Sequence, residues 1–196
     1  MEESLPLATI QQAVLEFLRD RDDVAVFGAQ AVNAYVAEPR MTQDIDLLST
    51  RAALFAEELR HHLSQRFHIA MQTRQVAEGR GLRLFQVRKS GNRHLVDVRA
   101  IERLPDTQRI SGVLVIAPAD LIAGKVTSYY QRRGKPKSGT DWRDLALLLI
   151  TFPALKQEDG LVAERLQKAG AVPEVLAVWR DLVAQELRLE DEDDEF

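Results

Sequence analysis

Ile10, Ala13, Val14, Phe17 and Leu18 recur at helical spacing and predict an amphipathic helix over residues 7–20. "DVAVFG" (23–28) reads as a short apolar strand ending at Gly28, and "AQAVNAYVA" (29–37) as a helix stopped near Pro39. "TQDIDLLS" (42–49) alternates as a strand, with Ile45 and Leu47 facing one way and Asp44 and Asp46 the other. Ala52, Phe55, Ala56, Leu59 and Leu63 stripe a further helix over 51–63, and a strand is expected near 66–73. Residues 82–100 predict a hairpin turning at Ser90-Gly91-Asn92, with Val96 and Val98 on one face of its second strand and Asp97 on the other. Residues 109–117 read as one more strand, and Pro118 opens a helix from a favourable first-turn position. Beyond it the pattern is helical to about 189, with breaks near Gly134–Gly139, Pro153 and Pro173. The pattern predicts an α+β protein: a mixed sheet flanked by helices over 1–117, a helical region over 118–189, and an acidic disordered tail over 190–196.

Composition narrows the function classes. The 196 residues are 45% hydrophobic and 29% charged, and they include no cysteine, which excludes disulfides, thiolate nucleophiles and thiolate zinc sites. No apolar run is long enough for a membrane span, and the acidic N-terminus lacks a secretory layout, so a cytoplasmic protein without a membrane partner is expected. The net charge of −4 is uneven, because the final "EDEDDEF" holds six acids and no base. Basic residues gather between Arg74 and Arg109 and again in "QRRGKPKSGTDWR" (131–143). Such stretches either solvate a surface or face polyanions such as triphosphate or RNA.

The carboxylates carry the chemistry. Two aspartates on one side of a strand stand roughly 7 Å apart at Cα and repel at neutral pH, a cost that a divalent cation relieves. A third carboxylate from a neighbouring strand would complete a metal clamp for phosphoryl transfer, and Asp97 has the right surroundings in "HLVDVRA". The structural alternative is that these aspartates simply face water. Just upstream, "VFGAQA" runs a strand through a glycine into a helix start, whose free N–H groups suit a phosphate.

"VFGAQAVNAY…EPRMTQDIDLL" resembles the signature of the nucleotidyltransferase superfamily with the DNA polymerase β-like fold, and more narrowly the AbiEii/MenT toxin-type nucleotidyltransferases. Arg40, Thr42, Asp44, Ile45, Asp46 and Leu47 match the family's Arg-x-Thr-x-Asp-Ile-Asp-Leu in order. The resemblance implies that Asp44 and Asp46 hold Mg²⁺ (or Mn²⁺), and that Asp97 binds metal or serves as base for the incoming hydroxyl. It implies an NTP donor such as ATP, an acceptor on a tRNA 3′ end, a protein or a small molecule, and a toxin paired with a cognate antitoxin. Gly28 and Ala29 occupy the family's Gly-Gly or Gly-Ser pair; Ala29 lacks a serine hydroxyl but keeps its backbone N–H.

In the helical half, Lys125 shares the inward face of its helix with Leu121 and Ile122, and Tyr129 and Arg132 continue the stripe. A cation there must snorkel or meet an anion. The family has a comparable Lys followed by Arg, which implies that Lys125 and Arg132 contact nucleotide phosphates. In "GTDWRDLALLL", Thr140 reads as a helix cap with Asp141 and Asp144 in the first turn, while resemblance to the family's Arg-Asp-x-x-Asp-Leu segment makes Asp141 a nucleotide-site residue. His61, His62, His68 and His94 form no metal-binding spacing and read as surface or packing residues. Polar residues before Asp44 and Leu48 after Asp46 argue against a haloacid-dehalogenase-type phosphatase, and the chain is short for a nucleotide-sugar glycosyltransferase. The remaining alternative is a degenerate nucleotide-binding or regulatory protein of the same fold. Three carboxylates and Lys125 argue against it.

Overall fold

The computed structural model describes residues 5–188, so the tail expected at 190–196 lies outside the described residues. The chain forms two compact units. One comprises the residues up to Ala34 with Pro39–Ile116, the other Tyr35–Glu38 with the residues from Ala117 onward.

In chain order the first unit holds α1 (Leu7–Phe17), β1 (Val24–Phe27), α2 (Gly28–Tyr35), β2 (Ile45–Ser49), α3 (Ala52–Phe67), β3 (Met71–Val76), β4 (Gly81–Gln86), β5 (Arg93–Ala100), β6 (Thr107–Ile110) and β7 (Val113–Ile116); the last residue of α2 falls in the second unit. Among the described residues the strands make one seven-stranded sheet in the order β3-β4-β5-β2-β1-β7-β6. Pairs β2–β5 and β1–β7 are parallel and the other neighbours antiparallel, so the sheet is mixed, in an α+β fold. Along β2, Ile45, Leu47 and Ser49 are buried while Asp46 and Leu48 are only half-buried, the alternation that the sequence pattern predicts. The stripe Ala52, Phe55, Ala56, Leu59 and Leu63 is buried as α3 packs on strands β2 to β5. Ile10, Ala13 and Val14 of α1, which packs beside α3, extend the same core. Each large apolar side chain so buried contributes about 1.5–3 kcal/mol.

The second unit holds α4 (Pro118–Gln131), α5 (Lys137–Thr151), α6 (Leu161–Lys168) and α7 (Pro173–Ala184). Helix α4 is central: it packs on α5, α6 and α7 and buries Leu121, Ile122 and Val126. The buried Trp179 of α7 donates its indole N–H to the carbonyls of Gln157 and Glu158, both at 3.2 Å. Tyr35 meets Phe152 edge-on with ring centroids 5.4 Å apart, tying residues 35–38 into this unit. Among the described residues no helix is long and apolar enough to cross a membrane.

Five departures from the predicted pattern have local causes. Asp44 lies in a bend before β2 and is not a strand residue, because the strand begins only at Ile45, where pairing with β5 starts. Helix α3 runs on to Phe67, until His68 turns left-handed (φ 51°), so the strand expected near 66 starts at Met71. The segment 109–117 is not one strand but a hairpin. Ser111 (φ 49°) and Gly112 (φ 84°) both adopt the left-handed conformations that a tight two-residue turn requires. The expected break at Gly134–Gly139 is shorter, since α5 already starts at Lys137 and Gly139 is helical. Thr140 therefore does not cap α5, and Asp141 and Asp144 lie beyond its first turn.

Candidate active site

The strand–glycine–helix junction brings Gly28 against an acid. Phe27, last in β1, is the register partner of Asp46 in β2, and the chain then turns into α2 through Gly28 at φ 68°. A Cβ at position 28 would stand 2.3 Å from Asp46 Oδ2 and 3.0 Å from its Cγ, so the Asp46 carboxylate lies directly over the glycine. Both the backbone conformation and this contact demand glycine. Ala29 follows in the first turn of α2, half-buried.

On its other side Asp46 pairs with Asp97 of β5, and Asp97 pairs with Arg83 of β4, so Arg83, Asp97, Asp46 and Phe27 form one row across four strands. Arg83 clamps Asp97 with two hydrogen bonds, Nε to Oδ1 at 2.7 Å and Nη2 to Oδ2 at 3.0 Å. Burial alone would push the Asp97 carboxyl up. The imidazole of His94 and the guanidinium of Arg83 beside it more than offset that and hold it at about 2.

His94 stands among the acids, contrary to its reading as a surface or packing residue. Its Nδ1 is 3.3 Å from Asp44 Oδ2 and its Nε2 is 3.2 Å from Asp97 Oδ1. The cause is a break in strand alternation. Leu84 pairs with Val96 but Phe85 pairs with His94, so β5 carries Leu95 as an extra residue. Leu95 and Val96 are both buried, while His94 and Asp97, three residues apart, reach the same acidic cluster. Phe85 backs the imidazole at 5.4 Å between ring centroids.

The loop before β2 is held by side chains that the motif does not announce. Asn33 of α2 donates to the Arg40 carbonyl (2.7 Å) and accepts from the Arg40 N–H (3.0 Å). Gln11 of α1 donates to the Thr42 carbonyl (3.0 Å), and the Thr42 hydroxyl donates to Gln30 of α2 (3.3 Å). These bonds fix the approach to Asp44.

In the second unit the remaining candidates form a buried ionic network between α4 and α5. Lys125 Nζ donates to Asp144 Oδ2 at 2.6 Å and lies 3.6 Å from Asp141 Oδ1. Arg132 donates through Nη1 to both oxygens of Asp141, at 3.0 and 2.8 Å. Asp144 is fully buried, Asp141 nearly so, and Lys125 is only 8% exposed, so of the two fates open to a cation on this face Lys125 takes the anion partner.

One donor atom each from Asp44, His94 and Asp97 lies within 4.8 Å of the other two. Asp46 is outside that trio but stands beside Asp97 in register. Two observations fit a cation here: hard carboxylate oxygens converge, and the buried Nε2 of His94 has no hydrogen-bond partner among the described residues.

The family model described as "Nucleotidyl transferase AbiEii toxin, Type IV TA system" matches residues 12–196. No curated protein matches the chain. Among solved structures, the Megavirus polyadenylate synthase is similar at a TM-score of 0.60 and 14% identity, over 75% of this chain and 32% of that one. This chain thus spans well under half of the viral protein. JHP933 from Helicobacter pylori is similar at a TM-score of 0.57 and 12% identity, over 93% of this chain and 91% of its own. At such identities the likeness is one of fold.

Proposed function

The chain belongs to the AbiEii nucleotidyltransferase toxin family, and from that premise we propose that it moves a nucleoside monophosphate from an NTP to an acceptor hydroxyl at the acids of its first unit. The observation that carries this reading is the convergence of Asp44 and Asp97 within 4.8 Å, with Asp46 over the glycine that opens α2. In the proposed step the acceptor oxygen attacks the α-phosphorus in line, a new P–O bond forms, the bond to the β-phosphate's bridging oxygen breaks, and pyrophosphate leaves. A divalent ion, Mg²⁺ or Mn²⁺, held by Asp44, Asp46 and Asp97 would supply charge neutralisation for the phosphates. Asp97, beside Asp46 in register, would share in holding that ion or take the proton that the acceptor hydroxyl gives up as its oxygen attacks. Backbone N–H groups at Gly28 and Ala29 receive phosphate oxygens. Thr42 serves by fixing the loop that carries Asp44. Lys125, Arg132 and Asp141 are the second unit's candidates for nucleotide binding, with Asp141 accepting two hydrogen bonds from the Arg132 guanidinium.

The acceptor is a hydroxyl of a tRNA 3′ end, a protein or a small molecule. The family description supports a toxin role with a cognate antitoxin, and the cytoplasm, where NTPs abound, is the proposed place of action. The test is label transfer from each α-labelled NTP into total tRNA and cell extract, beside the Asp46→Ala variant. The reading predicts an acceptor that carries label only with the wild-type chain, the variant losing at least about 10²–10³-fold. Near-wild-type turnover in a folded Asp46→Ala protein would sink it.

A further inference from the structure

His94 is a nitrogen donor in a place where the proposed metal set calls only for carboxylates. Its ring is wedged between Asp44 Oδ2, 3.3 Å from Nδ1, and Asp97 Oδ1, 3.2 Å from Nε2. A neutral imidazole carries one N–H and one lone pair. In a neutral ring one of the two nitrogens therefore faces a carboxylate oxygen with its lone pair. Nε2 is buried and without a hydrogen bond among the described residues. The Leu95 bulge and the Phe85 ring fix the imidazole there. A cation seated among the three groups would give the lone pair a partner and bring both carboxylates onto one centre.

We propose that His94 is a direct nitrogen ligand of the divalent ion held by Asp44 and Asp97, and that this mixed oxygen–nitrogen–oxygen set takes Mn²⁺ ahead of Mg²⁺. Mg²⁺ keeps to oxygen ligands and gives up its waters reluctantly, whereas Mn²⁺, which shares its preference for carboxylates, is a first-row transition ion and accepts one nitrogen donor among them. The inference rests on the metal-dependent reading of the acids and adds to it a ligand and a selectivity.

The experiment uses the full chain with MnCl₂ and no nucleotide. Electron spin echo envelope modulation of bound Mn²⁺ reports any directly coordinated ¹⁴N, and the resonance of free Mn²⁺ gives the dissociation constant in the wild type and in His94→Gln. The wild type is expected to show ¹⁴N modulation. His94→Gln is expected to lose it, to bind Mn²⁺ on the order of tenfold more weakly or worse, and to let excess Mg²⁺ displace Mn²⁺ at lower concentration. Bound Mn²⁺ without nitrogen modulation in the wild type overturns the proposal while leaving the carboxylate metal site standing. Modulation that persists in His94→Gln overturns it too, because the nitrogen then comes from elsewhere. A chain that holds no Mn²⁺ overturns both readings. The wild-type spectrum needs no variant, so the proposal stays testable even if His94→Gln fails to fold.

Discussion

Gly28 meets two demands at once, a left-handed backbone at φ 68° and room for the Asp46 carboxylate. Gly28→Ala should cost about 1–2 kcal/mol from the backbone alone and displace Asp46 besides. Chemical denaturation should show that modest loss while label transfer falls much further; equal small effects on both would show that Asp46 is not held by this contact. Asp97 permits a pH test. Its folded pKa of about 2 lies below its ordinary 3.8, so its ionised form contributes stability that is fully present above about 3.8 and is lost as pH falls through about 2. Arg83→Gln removes one of the two groups that hold it low, so a carbon-detected NMR titration of the metal-free chain should find the Asp97 midpoint raised in the variant. An unchanged midpoint would show that Arg83 contributes nothing. The face of Arg83 was legible but its partner was not, since a hairpin centred on Gly91 sets 83 opposite 99 and the observed register sets it opposite 97. His94 was not legible, because alternation assigns residues 94 and 97 to opposite faces and only the extra residue at Leu95 reunites them.

Helices α4 and α5 are joined by the Lys125–Asp144 pair, buried on both sides. Removing one partner strands a buried charge, so Lys125→Met should cost about 3–5 kcal/mol in urea denaturation. Lys125→Met with Asp144→Leu should regain most of that, because the Asp141–Arg132 pair remains intact. A cost under about 1 kcal/mol for Lys125→Met would contradict the account. The corollary is that lost activity in a Lys125 variant counts in favour of phosphate binding only when the fold survives. Most elements could be read from periodicity: α1 and α4 begin where their apolar spacing put them, and β1 lies within the predicted segment. The misplaced boundaries share a cause, since each depends on backbone conformation with little signature in apolar spacing. Ser111-Gly112 makes a two-residue turn inside an apolar run, and α5 starts over Lys137 to Gly139 without a side-chain cap, where Gly139 argues for a later start.

Across the whole molecule, the family match over residues 12–196 and a fold shared at 12–14% identity agree on one scaffold. The Asp-Ile-Asp motif made that scaffold recognisable, because carboxylates so placed answer to phosphate chemistry rather than to packing. The acceptor left no such mark, since any hydroxyl suits the same acids. Chelation offers a test at this scale: EDTA should abolish label transfer, and Mn²⁺ should restore it at a lower concentration than Mg²⁺; transfer that survives exhaustive chelation would refute metal dependence. The most direct measurement gives the chain one NTP labelled at the α-phosphate and, in parallel, the same NTP labelled at the γ-phosphate, each with tRNA and cell extract, beside Asp44→Ala. The account predicts α-label on the acceptor, γ-label in released pyrophosphate, and neither with the variant. γ-Label on the acceptor, or NTP bound with no label moved, would contradict nucleotidyl transfer.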